Sequence, residues 1–444
     1  MNISEEIKYN IFKISWVLLM LGTTCDFMLA NSIKIVSFDI NLTLSTVSVV
    51  QYILIFFIVF PLKEINRLIE DKYNKINILI ISLMLILAYI SSYFSLMQKF
   101  AIVTTISKFT LYFFAFIITL IYSKYFAQSG KFILKSFIFL NFFIILSSIA
   151  DYFFYDFNRL LVGYFGHVET KHSMLRINGI PYLRPSGFVT DTNLTAFSIA
   201  FSSYLLLLNN KRFNKYFKYL FYMLAGYSFG MLASRSALLL ILFLVILSFI
   251  LKLIPKKHII VFSLIFFIIQ SLTPQTQARF FIFSKKPKKV EEIETGRPII
   301  WKADMLAIRL KPLLGLGSGI FFKQSDIFIS KVLNKIDDAA YYAELNNQMH
   351  EPEEGVNPHN IFLSMFIEYG IPGLLLFTFL IIYNFRYIFK KRNMNSLIVF
   401  IGILFISCVS NYAPYYKYFL LLCIVYYINA PNNLKMDYNE NNHV

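Results

Sequence analysis

Long apolar blocks alternate with short polar connections along almost the whole chain. "SVVQYILIFFIVFPL" and "SALLLILFLVILSFILKLI" carry no charge over most of a bilayer width. A helix needs roughly 20 such residues to cross about 30 Å of hydrocarbon. The blocks are apolar all round and not striped, which marks membrane spans in preference to amphipathic surface helices. The pattern predicts helices at about 11–30, 43–62, 76–95, 101–123, 132–154, 188–208, 215–232, 236–254, 258–272, 371–389, 396–412 and 416–430. The expected fold is therefore all-α: a polytopic integral membrane protein of about twelve transmembrane helices with one large periplasmic loop.

The connections give an orientation. "PLKEINRLIEDKYNK", "YSKYFAQSGK", "NNKRFNKYFK", "KLIPKKH" and "NFRYIFKKRN" are short and basic, whereas "NSIKIVSFDINL", "SLMQKF" and "NYAPYY" between them carry one Lys each at most. Basic loops stay in the cytoplasm, so both termini are expected there and the intervening segments outside. The first block contains Asp26 and has no small-residue cleavage site, so it reads as a retained helix.

Composition agrees. Of 444 residues, 57% are hydrophobic and 15% charged, with a formal net charge of +17. The positive excess sits in short loops, so it reads as orientation and not as nucleic-acid binding. Phe (49) far outnumbers Gly (16), so small-residue helix packing is not expected as a main theme. Cys25, Cys408 and Cys423 all lie in apolar stretches without metal spacing or an evident disulfide partner.

Two outer segments exceed ordinary connections, at about 155–187 and about 273–358. They divide the chain into N-terminal spans with the first outer segment (1–185), central spans (186–272), a large periplasmic loop with short surface helices (273–370), and C-terminal spans with a cytoplasmic tail (371–444). Within the large loop "RPIIWKADMLAIRLKP" reads as a helix, opened after Thr295 and Gly296 with Pro298 in its first turn and ended by Pro312 and Gly315.

Four outer strings hold the unusual polar residues. In "LRPSGFVTDTNLTAF", Arg184 precedes an apolar helix, with Asp191 and Asn193 in its first turns; either it anchors the helix at the interface or it faces a cavity. In "ASRSALLL", Arg235 occupies a tight outer turn, where it either snorkels to lipid phosphates or points into the bundle. In "GRPIIWKAD", Arg297 opens a helix, a position suited to anions, with Trp301 and Asp304 following at helical spacing on the same face. In "NPHNIFLSMFIEYGIPG", Asn357 suits an N-cap, Pro358 the first helical position, and His359 the first turn, where the helix dipole favours a neutral imidazole able to accept a proton. The helix to Tyr369 is too short to span, and "GIPG" breaks it before the next span. Asp337, Asp338, Glu351, Glu353 and Glu354 sit in a solvated stretch and are not read as a metal site. Neither a nucleotide loop nor Cys/His metal spacing is found. The residues thus describe a site for an anionic, lipid-linked substrate at the outer leaflet.

In this order the strings resemble the O-antigen ligase and polysaccharide polymerase superfamily of bacterial membrane glycosyltransferases, from about Arg184 to Phe389. The resemblance rests on "RPSGFVTDTN", "SRSALLL", "GRPIIW" followed by "PLLGLGSGIF", and "HNIFLSMFIEYGIPGLLLF". It implies transfer of a glycan from undecaprenyl diphosphate to an acceptor hydroxyl at the periplasmic face of the inner membrane, without cofactor, metal or nucleic acid. The acceptor is another lipid-linked repeat unit for a polymerase and lipid A–core for a ligase. It further implies His359 as general base, Arg235 and Arg297 on the diphosphate, Arg184 on donor or acceptor, contacts with membrane lipids, and a chain-length regulator as partner. Polymerase is the favoured reading and ligase the alternative. A secondary transporter or lipid-linked glycan flippase has the same span layout, but would show related halves and polar breaks near mid-membrane. No repeat is found, although Asp26, Lys108 and Asp151 lie in or near spans.

Overall fold

Apolar blocks without internal charge can satisfy their backbone in lipid only as helices, and helices dominate. In a computed structural model the described residues are 4–24, 33–35, 38–40, 44–60, 72–125, 129–154, 173–177, 180–185, 187, 192–281, 297–333, 358, 360–390 and 394–409. The helices are α1 (Glu5–Thr24), α2 (Leu44–Val59), α3 (Lys72–Tyr93), α4 (Gln98–Thr104), α5 (Leu111–Tyr125), α6 (Ser129–Phe153), α7 (Thr192–Leu208), α8 (Lys215–Leu232), α9 (Arg235–Ile250) and α10 (Lys256–Ser271). After these come α11 (Pro274–Phe281), α12 (Arg297–Leu310), α13 (Ile320–Leu333), α14 (Ile361–Lys390) and α15 (Met394–Val409). Two short antiparallel hairpins add strands that the hydrophobic pattern does not predict: β1 (Ile33–Ile35) with β2 (Phe38–Ile40), and β3 (Ser173–Ile177) with β4 (Ile180–Arg184).

Among the described residues, Lys72–Tyr93, Gln98–Thr119, Ser129–Phe153 and Ile361–Lys390 are long and apolar enough to cross a membrane. Val47–Val59, Thr192–Leu208, Arg235–Ile250 and Met394–Cys408 are shorter apolar helices. The span expected at 416–430 lies outside the described residues. Each long helix has a covered and an open face. On α3, Ile80, Met84, Ala88, Ser91 and Ser92 are buried, while Leu79, Leu83, Ile86 and Ile90 are exposed at spacings of a single helical face. In α14, Ile371, Leu375, Phe379 and Ile382 form a second exposed stripe. Such stripes are the surface a bilayer covers.

The core is heavily aromatic. Phe12 and Trp16 of α1, Tyr52, Phe56 and Phe60 from α2 and its end, and Tyr122 of α5 form a ring cluster with centroids 4.6–6.4 Å apart. The Trp16 Nε1–H donates to Ser136 Oγ of α6 at 3.1 Å, so its polar edge is satisfied inside the bundle. Small-residue packing, which composition argued against, occurs at one seam. A Cβ on Gly226 would stand 2.6 Å from the Phe266 carbonyl oxygen, and one on Gly230 would stand 2.8 Å from that of Gln270. The pair is a Gly-x-x-x-Gly step that brings α8 against α10. Overall glycine count hides it because two residues suffice.

Two departures from regular helix matter for the site. Between α4 and α5, Thr105–Thr110 is a π-helical turn. In α14, Gly370 takes φ 67°, ψ −164°, so the helix is two pieces joined at a kink, matching the break expected at "GIPG".

Candidate functional site

The first string is held at the end of the bundle by three elements. β4 delivers Arg184, 8% exposed, beside the C-terminus of α8. Its Nε donates to the Leu232 carbonyl oxygen at 2.7 Å and its Nη2 to Asn193 Oδ1 at 3.1 Å. A helix end leaves its last carbonyls without intrahelical donors, and a cation there also complements the dipole. Ser234 Oγ donates to the same Asn193 oxygen at 3.4 Å. The strand end, the first turn of α7 and the α8–α9 turn are therefore one hydrogen-bonded unit.

That turn is very tight. Ala233 adopts a left-handed conformation (φ 46°, ψ 40°), Ser234 is extended, and Arg235 begins α9. A non-glycine residue in that region costs about 1 kcal/mol, which the surrounding bonds offset. Downstream of Arg184, the Gly187 N–H donates to Asp151 Oδ2 at 3.1 Å, so the "RPSG" turn is fastened to the end of α6. Gly187 has φ +64°, and a Cβ on it would enter the backbone of Ser147–Ser148. Behind β4, Gln275 Nε2 of α11 donates to the Leu183 carbonyl oxygen at 3.2 Å. The first two strings thus meet, since Arg184 bonds the carbonyl of Leu232, three residues before Arg235. Asp191 lies outside the described residues.

The third and fourth strings meet through the glycine-rich turn after α12. The Leu316 N–H donates to the Ile367 carbonyl oxygen at 2.8 Å, Gly317 N–H to that of Glu368 at 3.0 Å, and Ile371 N–H to that of Pro312 at 2.9 Å. Gly315 (φ 73°) and Gly370 (φ 67°) sit face to face across this lock, where side chains would collide with the opposing backbone. Beneath it, Thr105 Oγ1 bonds Ser92 Oγ at 2.8 Å and Ser318 Oγ at 2.6 Å, and Ser318 Oγ bonds Tyr369 OH at 2.9 Å. This buried hydroxyl chain joins α3, the π-helical turn, the glycine turn and the kink of α14. Its serines and threonines are dispersed through apolar sequence, so no local motif announces it. A single apolar cluster then packs Ala303, Ala307 and Ile308 of α12 with residues of α13 and with Leu363, Phe366 and Ile367 of α14.

Arg297 is the first residue of α12, as the pattern predicts; its side chain is not among those described. His359 lies outside the described residues, but its neighbours correct the expected cap. Asn360 Oδ1 accepts from the Phe362 and Leu363 N–H groups at 2.9 and 3.3 Å, and α14 begins at Ile361. The N-cap is thus Asn360 and not Asn357, because Asn360 offers its carboxamide to the second and third helical amides. Asp337, Asp338, Glu351, Glu353 and Glu354 are also outside the described residues.

Asp304 is the residue the sequence undervalues. It is 0% exposed, and neither carboxylate oxygen has a hydrogen-bond partner among the described residues. Burial pushes its carboxyl up to about 8, so it holds a proton at neutral pH. Trp301, expected on the same face, is 44% exposed instead. The burial is legible in spacing, since Ile300, Ala303, Ala307 and Ile308 surround Asp304 on the apolar side of α12.

Residues 220–378 match the family model described as O-antigen ligase. The matched segment contains Arg235, Arg297, the glycine turn and the kink of α14, and begins downstream of Arg184. No curated protein matches the chain. The match supports the O-antigen ligase and polymerase superfamily, and with the apolar helices it implies a multi-pass bacterial membrane protein of surface-polysaccharide synthesis with a glycosyltransferase-type role.

Proposed function

We propose that this protein polymerises lipid-linked polysaccharide repeat units, moving a glycan from undecaprenyl diphosphate to a hydroxyl of another lipid-linked unit. The observation that carries the reading is the family match over 220–378, which takes in Arg235, Arg297 and the helix headed by Asn360. In this reading about twelve spans place both termini in the cytoplasm and the site at the periplasmic face of the inner membrane.

The acceptor oxygen attacks the anomeric carbon as the bond from that carbon to the diphosphate oxygen breaks. Undecaprenyl diphosphate departs with the bonding pair, the acceptor proton passes to His359, and direct displacement inverts the anomeric centre. Arg235 and Arg297 neutralise charge growing on the leaving diphosphate, a task arginine's planar fork performs without a metal. A base at the acceptor is worth roughly 10²–10⁴-fold. Arg184 supports the α8–α9 turn through Leu232 and Asn193 and borders the same donor or acceptor region.

The test is a surface-glycan ladder from cells lacking the gene, complemented with wild type or with His359→Ala at equal membrane abundance. A single repeat unit on lipid A–core after deletion, and a ladder after complementation, identify a polymerase. Complete loss of O-antigen from the core, with lipid-linked polymer accumulating, identifies the ligase alternative. An unchanged ladder on deletion overturns both.

A further inference from the structure

The ends of α3 and α14 and the turn after α12 meet in one place. Lys311 Nζ donates to the Phe94 carbonyl oxygen at 2.7 Å, just beyond the last residue of α3. Ile371 N–H donates to the Pro312 carbonyl oxygen at 2.9 Å, just past the kink of α14. Around this junction six large apolar side chains stand open: Tyr93, Phe94, Leu96, Leu310, Leu313 and Ile371. Leu310 is 61% and Leu313 67% exposed. Single exposed apolar residues are ordinary, but a contiguous patch marks a surface that something covers.

Continuity identifies the cover. Tyr93 extends the exposed stripe Leu79, Leu83, Ile86 and Ile90 of α3, and Ile371 opens the stripe that runs down α14. Both stripes belong to helices long and apolar enough to cross a membrane. Leu310 and Leu313 prolong that lipid-facing surface beyond the helix ends. Charge is complementary too: among the described side chains of α12 the exposed charged ones are Lys302 and Arg309, while Asp304 is buried. Lys311 donates to a carbonyl just past the end of α3, which leaves its ammonium at the rim of the patch.

We propose that the Leu310–Leu314 turn is a lipid-inserted wedge, seating the α12–α13 pair in the bilayer interface with Leu310 and Leu313 among acyl chains and Lys302, Arg309 and Lys311 at phosphate level. The wedge fixes the depth of α12, and hence of its first residue, relative to the headgroups. It holds whichever face of the membrane this end of the bundle occupies.

The test places a tryptophan in the wedge. Leu313→Trp is introduced with Trp16→Phe and Trp301→Phe, and the protein is reconstituted in nanodiscs of phosphatidylethanolamine and phosphatidylglycerol, with or without phosphatidylcholine brominated on an acyl chain. The expected result is loss of most emission with brominated lipid and none with aqueous iodide, as for Leu83→Trp on the α3 stripe in the same background. Quenching by iodide without quenching by brominated lipid overturns the wedge. A second readout avoids the bulky substitution: Leu313→Cys, with Cys25, Cys408 and Cys423 replaced by Ser, should resist a water-soluble maleimide in nanodiscs and react in dodecyl sulfate. Rapid labelling in nanodiscs contradicts the proposal. Neither readout uses glycan transfer, so each outcome is independent of the proposed enzymatic activity.

Discussion

Replacing Asp304 by Asn should change how stability responds to pH, with a sign opposite to that of an ordinary carboxylate. The folded protein holds the Asp304 proton up to about pH 8, against 3.8 for a free side chain. Between those values the folded state binds one more proton than the unfolded state. Stability therefore falls as pH rises through that window and levels off above about 8. Each pH unit is worth about 1.4 kcal/mol. From the bottom of the window to neutral pH the loss is on the order of 4 kcal/mol. Asparagine resembles the protonated acid in shape and cannot ionise. It costs about 1–3 kcal/mol if its amide stays unpaired, so Asp304→Asn should be the more stable form near pH 8 and lose its advantage in acid. The assay is thermal unfolding in detergent across about pH 5–8.5, followed through the emission of Trp301, which lies one turn away on α12. The quantity read is the difference between wild type and variant, in which other titrating groups cancel. Parallel pH profiles would refute the reasoning, since they would mean that Asp304 is already ionised in the folded protein across this range.

Further outcomes follow from the two locks. Arg184→Lys retains the charge but cannot reach both Leu232 O and Asn193 Oδ1 with a fixed fork; it should cost about 1.5–3 kcal/mol, read as a lower unfolding midpoint and a shortened glycan ladder. Gly370→Ala places a Cβ against the Leu313 carbonyl at φ +67°. The backbone conformation alone costs about 1–2 kcal/mol, so the variant should show reduced membrane abundance or faster proteolysis between α12 and α14. Ser318→Ala removes the centre of the hydroxyl chain and takes one hydrogen bond each from Thr105 and Tyr369, while Thr105 keeps Ser92 and the Ala101 carbonyl; a loss of about 0.5–1.5 kcal/mol per bond in thermal unfolding is expected.

Helix was the easiest part to read, because a long apolar block in a bilayer can satisfy its backbone only as a helix; of the twelve spans expected, four helices among the described residues are long and apolar enough to cross. α8 begins and ends as the pattern predicts, at Lys215 and Leu232, where Asn214 and the Ala233–Ser234 turn punctuate it. The start and end of α12 were equally legible from Arg297–Pro298 and Pro312. The cap of α14 was harder: "NPHN" offers two asparagines, and only the hydrogen bonds of Asn360 decide between them. The Gly226–Gly230 spacing is local and readable, but its partner, the Phe266–Gln270 backbone, is not; the Asp151–Gly187 bond and the Ser92–Thr105–Ser318–Tyr369 chain likewise link residues distant in sequence, which local spacing does not reveal. The four strings place Arg235 at the start of α9 and Arg297 at the start of α12, as their spacing predicts. How Arg184 joins the Arg235 turn is a fact of tertiary structure, carried by Leu232 and Asn193.

The central claim is transfer from a lipid diphosphate by this chain alone. It is tested most directly with purified protein in proteoliposomes supplied with undecaprenyl-diphosphate-linked repeat units and no other enzyme, reading glycan length on the lipid. The account predicts a ladder with wild type, its loss with Arg235→Ala, Arg297→Ala or His359→Ala at unchanged unfolding midpoint, and release of undecaprenyl diphosphate in step with bond formation. Repeat units that remain single in the presence of folded wild type, or a ladder undiminished in all three variants, would contradict it.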